Sequence, residues 1–339
     1  MKKMRTSLLF IFMLSCMLVL AACNGGNGNE SEGSSGDEKE GTTENQSSGS
    51  QDLSLLTGGT GGTYYPLGGQ IGKIITDNTD AKITPQTSGA SAENMETLRA
   101  GEAELAFSQT DIAAYAIEGK EMFDGDPIDN IQAISSLYPE TIQLVTTKDS
   151  GIKSVEDLKG KAVSIGAPGS GVYINAVQIL EVHGMSVDDI KAQNLSFDES
   201  TDGIQAGTID AAFVTAGTPT GAVEALSAQE DVVIIPFADD KIKSLIEKYP
   251  YYAEDTIASG TYNIEEDVHT VAVKAMLVAT SDLDENLVYE MTKALYENTD
   301  SITHAKGEFI TAETALEGLG DMELHPGAAK YFEEKGITQ

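Results

Sequence analysis

Hydrophobic residues from Leu53 onward fall into short runs that alternate with stretches of helical spacing. The short runs predict strands at residues 53–57, 105–109, 162–166, 210–215 and 232–236. Apolar residues three and four apart predict helices at 92–100, 172–183, 241–249 and 283–296, and another through Leu67, Ile71, Ile74 and Ile75. Alternating strands and helices are typical of an α/β fold with mainly parallel sheets.

Two segments of the chain match each other without a gap. LRAGEAELAF at 98–107 aligns with IQAGTIDAAF at 204–213, and each reads as a helix end, a glycine stop, a turn and a buried strand. A strand, a glycine-rich loop and a helix precede both segments. The pattern therefore predicts two α/β halves that are built alike.

The first 22 residues have the pattern of a secretory signal peptide. Lys2, Lys3 and Arg5 precede an apolar run at 8–20 that is too short to span a bilayer. The run ends in LAAC at 20–23, which resembles the lipobox of bacterial lipoproteins, so Cys23 is the expected lipidation site. The alternative is an ordinary signal with an incidental cysteine. Residues 23–52 are rich in Gly, Ser, Asn and Glu and predict a disordered acidic tether.

The charge balance narrows the set of partners. The chain has 339 residues and 54 Asp plus Glu against 21 Lys plus Arg, which gives a formal net charge of -33. Such a field repels phosphate backbones, so no nucleic acid partner is expected. Arg5 and Arg99 are the only arginines, and Arg99 is expected to be exposed at a helix end. The usual bidentate clamp for a ligand carboxylate is therefore missing.

Polar loops after strands, where helices begin, are the expected ligand site, because helix N-termini offer unpaired N–H groups and a partial positive charge. Four kinds of loop have this position: the two glycine-rich loops at 57–65 and 166–173, a third loop at 87–91, and a fourth at 108–111 with its counterpart at 215–218. Ser91 reads equally well as a simple helix cap. Four tyrosines are candidates for closing over a ligand: Tyr64, Tyr65, Tyr138 and Tyr262. The full candidate set is Thr60, Gly61, Gly62, Thr63, Tyr64, Tyr65, Ser88, Gly89, Ala90, Ser91, Gln109, Tyr138, Pro168, Gly169, Ser170, Gly171, Thr215, Ala216, Gly217 and Tyr262.

The sequence contains only fragments of nucleotide-binding motifs and lacks the enzyme motifs that were considered. Tyr64 occupies the third glycine position of a dinucleotide fingerprint, and Gly72-Lys73 lacks the rest of a phosphate loop. There is no G-x-S-x-G and no H-E-x-x-H, and the scattered residues His183, His269, His304 and His325 read as surface histidines. We therefore expect no enzyme activity, no metal and no cofactor.

Several segments of the sequence resemble one known family. They are GGTGGTYYPLGG at 58–69, AGEAELA at 100–106 with QTD at 109–111, DLKGKAVSIG at 157–166, PGSG at 168–171 and HTVAV at 269–273. The chain is similar over about 53–329 to the TAXI-type extracytoplasmic solute receptors of tripartite ATP-independent periplasmic (TRAP) transporters. The first segment with the spaced QTD is the specific part, whereas DLKGK and PGSG occur in many type II binding proteins.

The resemblance implies a type II periplasmic-binding-protein-like fold, with two α/β lobes and a ligand cleft between them. Lobe 1 would take 53–140 and 273–339 and lobe 2 would take 141–272, with crossings near 141–147 and 271–278. We expect a monomeric receptor. The lipobox departs from the freely soluble periplasmic state common in that family, and it predicts a lipid anchor at the outer face of the cell membrane. The receptor would close on a small carboxylate such as glutamate or glutamine and deliver it to an ion-gradient-driven TRAP permease. Alternatives are a binding lipoprotein of an ABC importer, or an enzyme or sensor on the same fold.

Overall fold

The computed structural model describes residues 51–338. The signal peptide, Cys23 and nearly all of the tether lie outside the described residues. Within 51–338, no helix combines the length and apolar character that a bilayer-spanning helix needs.

The described chain folds into helices that pack on one ten-stranded sheet. The strands are β1 (Gln51–Leu56), β2 (Ala81–Gln86), β3 (Leu105–Gln109), β4 (Ile131–Thr147), β5 (Ala162–Ser164), β6 (Lys191–Gln193), β7 (Ala211–Ala216), β8 (Val232–Ile235), β9 (Ala253–Ile257) and β10 (Val268–Thr280). The helices are α1 (Tyr64–Asn78), α2 (Ser91–Arg99), α3 (Thr110–Glu118), α4 (Val172–Val182), α5 (Phe197–Gln205), α6 (Gly221–Ser227), α7 (Asp239–Lys248), α8 (Glu285–Tyr296) and α9 (Pro326–Glu334).

The strand order is β2-β1-β3-β10-β4-β7-β5-β6, with β8 beside β4 and β9 beside β10. The outer strands pair in parallel, β1 with β2 and β3, and β5 with β6 and β7. Parallel neighbours need long crossovers, and the helices supply them. The two long strands β4 and β10 run antiparallel to each other and to their other neighbours.

Buried apolar side chains form two groups of core clusters, one on each side of the middle of β4 and β10. The core contacts of β4 change from one group to the other between Tyr138 and Ile142, and those of β10 change between Val273 and Ala275. We call the half that contains β1–β3, α1–α3, α8 and α9 lobe 1, and the half that contains β5–β9 and α4–α7 lobe 2. The domain boundaries expected from the sequence at 140/141 and 272/273 stay a prediction.

The predicted strands and helices are present with ends shifted by at most two residues. The internal match also has the predicted form. α2 ends at Arg99 before β3, α5 ends at Gln205 before β7, and the stops Gly101 and Gly207 take left-handed φ values of 70° and 69°.

Three local predictions were wrong. Residues 108–111 are not a loop, because β3 runs to Gln109 and α3 begins at Thr110. Ser91 does not cap α2; it is the first helical residue, and its hydroxyl accepts a hydrogen bond from the Gln109 amide at 3.3 Å. His325 is buried and is not a surface histidine. Its Nδ1 accepts a hydrogen bond from the Gly327 amide and so caps α9.

Helix α1 packs closely on the sheet at Gly68. A Cβ at that position would lie 2.8 Å from Thr57 Cγ2 and 3.2 Å from Phe107 Cε2, whereas a Cβ at Gly69 would have no heavy atom within 4 Å. We expect Gly69→Ala to raise the free energy of unfolding by about 0.5–1 kcal/mol, because alanine favours the helix. We expect Gly68→Ala to lower it by about 1–3 kcal/mol through overpacking. Urea unfolding of both variants checks this, and an equal gain in both would contradict the packing.

Candidate functional site

A cavity of about 80 Å³ lies between the two lobes. One water needs roughly 10–15 Å³ of such space, so the cavity has room for a group larger than a single water. Its walls are Gly58, Gly59, Gly61, Gly62, Thr63, Tyr64, Ser88, Gly89, Ala90, Ser91, Gln109 and Glu140, and, from lobe 2, Ala167, Ser170, Gly171, Val172, Ser196, Phe197, Thr215 and Ala216.

Five helices, each of nine residues or more, begin at the cavity wall. The lining contains the first residue or the preceding residue of α1, α2, α3, α4 and α5, namely Tyr64, Ser91, Gln109, Val172 and Phe197. The N-terminus of a helix carries unpaired amides and a partial positive charge. The Gly169 carbonyl occupies two amides of α2, and the Ser196 side chain accepts from an amide of α5. Within the described part of the chain, no side chain caps the first turn of α1 or α4, so these two N-termini favour an anionic group in the cavity.

Two side chains at the cavity have unsatisfied polar atoms. Ser170 is 4% exposed and Gln109 is 2% exposed. Among the described residues, neither Ser170 Oγ nor Gln109 Oε1 has a hydrogen-bond partner. A buried polar atom without a partner costs about 1–3 kcal/mol, so a ligand that bonds to these atoms would recover part of that free energy.

Gly171 of lobe 2 allows the side chain of Gln109, from lobe 1, to lie against the start of α4. A Cβ at Gly171 would overlap Gln109 Oε1, and the side chain of Gln109 also donates to Asn175 Oδ1 on α4 at 3.0 Å. Only glycine allows this close approach. The amide of Gln109 therefore rests on the first turn of α4 when the lobes are in contact.

Glu140 is the one charged side chain among the lining residues that the structure describes. It lies at the middle of β4, is 2% exposed, and accepts a hydrogen bond from the Tyr64 hydroxyl at 2.7 Å. Burial raises the pKa of Glu140 well above its ordinary value, the hydrogen bond from Tyr64 opposes this rise, and the charge of Asp111 adds to it. The cavity thus holds a carboxyl group whose protonated form is favoured.

Tyr64 connects this carboxyl group to the lobe 1 core. Its ring stacks on Phe107 with centroids 4.9 Å apart. Burial and the neighbouring Glu140 raise the pKa of Tyr64, so its hydroxyl stays protonated and donates a hydrogen bond to Glu140. The position of Glu140 is therefore set by a packed aromatic side chain.

Most of the residues proposed from the sequence lie together at this cavity. These are Gly61, Gly62, Thr63, Tyr64, Ser88, Gly89, Ala90, Ser91, Gln109, Ser170, Gly171, Thr215 and Ala216. The others do not line it: Thr60, Tyr65, Tyr138, Pro168, Gly169, Gly217 and Tyr262.

Three of the four proposed tyrosines have other roles. Tyr65 is 39% exposed, and Tyr138 belongs to the lobe 1 core. Tyr262 is buried in lobe 2, where its hydroxyl accepts from the Thr220 amide and donates to Gln143 Oε1. The positions of these tyrosines in the sequence do not indicate whether their side chains point toward the cavity.

The remaining four residues make contacts between the lobes outside the cavity. Thr60 donates to Asp198 at 3.2 Å, and the Gly217 carbonyl accepts from Thr63 at 3.3 Å. The carbonyl of Gly169, which follows Pro168, accepts from the Ala92 and Glu93 amides, both at 3.0 Å. The 168–169 turn therefore caps α2 and takes up two of its amides.

Seven lining residues were not among the candidates proposed from the sequence: Glu140, Gly58, Gly59, Ala167, Val172, Ser196 and Phe197. Glu140 had a usable signal, because it is the only charged residue between 131 and 147. Ser196 had one as well, since Ser196 and Glu199 form a capping box at the start of α5.

Arg99 lies away from the cavity, where it pairs with Glu96 and Asp126 at 2.5 and 2.6 Å. Across residues 51–338, no group of three or more His, Cys, Asp or Glu side chains is placed to hold a metal ion. The chemistry that these residues offer is hydrogen bonding to a small polar ligand.

Solved structures of similar fold have low sequence identity to this chain. A protein from Bordetella bronchiseptica RB50 has a TM-score of 0.53 at 19% identity, over 84% of this chain and 82% of its own. The alkanesulfonate-binding protein SsuA from Xanthomonas axonopodis pv. citri, bound to MOPS, has 0.50 at 14%, over 84% of each chain. PhnD1 from Prochlorococcus marinus (MIT 9301), in complex with methylphosphonate, has 0.51 at 12%, over 76% of this chain and 88% of its own.

At such identities these similarities show the fold alone, which is that of periplasmic binding proteins with two α/β lobes and a cleft. The family is shown by the sequence itself. Residues 55–336 match the NMT1-like family, which is nearly the whole described chain. The chain therefore belongs to the NMT1-like family.

Proposed function

We propose that the protein is an extracytoplasmic solute receptor that closes its two lobes on a small carboxylate-bearing metabolite, with glutamate and glutamine as the first candidates. One observation carries the proposal: five helix N-termini and two unsatisfied buried side chains converge on one small cavity between the lobes. The convergence favours an anion that also accepts and donates hydrogen bonds.

The buried carboxyl of Glu140 adds a second requirement. An anion placed against an ionised Glu140 would be repelled in a cavity of low dielectric constant. A ligand that also carries an ammonium group would turn this repulsion into a charge-assisted hydrogen bond. We therefore expect amino acids to bind more tightly than dicarboxylates of the same length.

Ligand capture by closure is supported by the polar contacts between the lobes. Gly61 of lobe 1 accepts from the Ala222 amide of lobe 2 at 3.0 Å, and Gly169 of lobe 2 accepts from lobe 1 amides. These contacts hold the two walls of the cavity together, so breaking them would widen the way in for a ligand. A receptor that opens and closes in this way can hand its ligand to a membrane protein.

We propose a TRAP permease as that membrane partner, by the resemblance to TAXI-type receptors, and a lipid on Cys23 as the anchor at the outer face of the membrane. The alternative is an ABC importer. The ligands of SsuA and PhnD1 make a sulfonate or a phosphonate the alternative ligand class, because helix N-termini also bind such anions. Glu140 distinguishes the two ligand classes, since methylphosphonate brings no ammonium group.

The ligand class is tested by a thermal-shift panel on the full chain, extracted in detergent, with glutamate, glutamine, 2-oxoglutarate, succinate, methylphosphonate and MOPS. At a ligand concentration about 1,000 times Kd, binding adds about 4 kcal/mol of stability, which raises Tm by several degrees. We expect the largest shift with glutamate or glutamine. Ser170→Ala should reduce it, and the exposed control Ser259→Ala should not. A shift with the sulfonate or phosphonate alone would contradict the carboxylate proposal.

The charge of Glu140 is tested by pH. Its pKa is raised in the folded state above the ordinary value of 4.5, so the unfolded chain loses this proton first as pH rises. The free energy of unfolding should therefore fall between pH 5 and 8, by up to about 1.4 kcal/mol per pH unit for one such group. We expect a smaller fall in Glu140→Gln, with Asp111 retaining part of it.

The exposed Glu254→Gln serves as the control and should keep the wild-type slope. Glu140→Gln should also weaken glutamate binding about 10- to 100-fold, since a hydrogen bond to a charged group is lost. An unchanged pH slope and unchanged affinity would show that Glu140 does not face the ligand.

A further inference from the structure

A buried polar network joins the two lobes beneath the cavity, with Asn175 of α4 at its centre. The Asn175 side-chain oxygen accepts from Gln109 Nε2 and from the Thr215 hydroxyl, both at 3.0 Å. Its side-chain nitrogen donates to Asp111 Oδ2 at 3.0 Å and to the Tyr252 hydroxyl at 2.9 Å. Asn175 therefore uses both ends of its amide to hold residues of both lobes.

Asp111 is the lobe 1 end of this network. It lies in the first turn of α3 and is fully buried, and its Oδ1 has no hydrogen-bond partner among residues 51–338. Burial raises the pKa of Asp111 to about 7, although hydrogen bonding to the Ile112 backbone amide and, more weakly, to the Asn175 side chain opposes the rise. The cover over its carboxyl includes Asn175 and Tyr252, both of which belong to lobe 2, so separation of the lobes would expose it to water.

The groups that face Asp111 supply no positive charge. They are Tyr115 on the same helix, Tyr251 and Tyr252 before β9, and Glu140 on β4, each of which has its own pKa raised by the charge of Asp111. An ionised Asp111 would thus be buried without a cation, which is unfavourable.

We propose that Asp111 and Asn175 form a proton-linked latch: closure of the lobes takes one proton from solvent onto Asp111 Oδ1, and opening releases it. The latch rests on the proposed function, because it uses the same closure that captures the solute. It is coupled to the ligand through Gln109 and Thr215, which line the cavity and both donate to Asn175. Taken alone, the Asp111 latch therefore makes solute binding stronger at lower pH, whereas protonation of Glu140 opposes its contact with an ammonium group of the ligand.

The direction in which pH changes solute binding follows from the pKa of Asp111 in the open and closed states. In the open state its carboxyl is in water with an ordinary pKa near 3.8, and in the closed state the pKa is about 7. Closure is then favoured by protonation below pH 7 and gains nothing from it at higher pH. Between pH 8 and pH 6, where glutamate keeps one charge state, this linkage predicts about tenfold tighter binding of glutamate.

Calorimetry with glutamate tests the latch on the full chain at pH 6.5, in two buffers of different ionisation enthalpy. The difference between buffers gives the number of protons taken up. We expect Asp111→Asn to take up about three-quarters of a proton less than the wild type, and to lose the tenfold pH dependence. The exposed control Asp282→Asn should match the wild type in both.

Two further variants separate a latch from a merely structural role. Asn175→Asp places a second carboxyl beside Asp111 and should weaken binding most at high pH. Tyr252→Phe removes the hydroxyl that bonds to Asn175 without changing a charge, so it should weaken binding and leave proton uptake unchanged. Equal proton uptake in the wild type and Asp111→Asn would overturn the proposal.

Hydrogen exchange without ligand keeps the two possible failures apart. After correction for intrinsic exchange rates, we expect the amides of α3 and α4 to be better protected at pH 6 than at pH 8 in the wild type but not in Asp111→Asn. If glutamate does not bind and this difference is still found, the ligand proposal fails and the latch stands. If the difference is missing in the wild type, the latch is wrong whatever binds.

Discussion

The antiparallel pairing of β4 with β10 is the constraint on which the rest of the molecule depends. Each strand contributes its first and last residues to different lobes, and the two are hydrogen-bonded from Thr141 and Ala272 to Ile131 and Thr280. The pairing contains register shifts between Lys274 and Met276 and between Leu277 and Val278, where a ladder bends most easily. A change in the angle between the lobes would deform this part of the sheet.

Glu140 pairs with Val273 at the middle of this connection, so the buried carboxyl lies where the lobes meet. Two opposing electrostatic effects act at this place. Helix N-termini attract an anion, whereas an ionised Glu140 and a net charge of -33 repel it, and the lone arginine of the described chain is paired elsewhere. A ligand with both a carboxylate and an ammonium group satisfies the two effects together, which explains how a receptor without an arginine clamp could select its ligand.

The sequence was most informative where local rules are strong. Apolar periodicity located β3, β7, α2 and α4, because these elements bury one stripe or both faces. The same rules hid β4, since a strand buried on both faces has no alternation and its one charge, Glu140, reads as a break. The start of α3 was missed because Thr110 and Asp111 are residues typical of loops.

The candidate loops were found because helices start after strands at one edge of the sheet. Which of their side chains turn into the cavity depends on contacts between the lobes, and these join residues far apart in the chain. Gln109 meets Asn175, and Glu140 meets Tyr64, across separations of 66 and 76 residues. No pattern in a single sequence indicates such pairs, so the sequence did not separate Tyr64, which lines the cavity, from Tyr138 and Tyr262, which do not.

The central claim is that one small solute is held between the lobes by the N-terminus of α4 and by Glu140. A crystal structure of the protein with the solute that binds tests it most directly. The account predicts the carboxylate of the solute about 3 Å from the amides at the start of α4 and from Ser170, with its ammonium group at the same distance from Glu140. A solute bound outside this cavity, or bound with its carboxylate at Glu140, would contradict it.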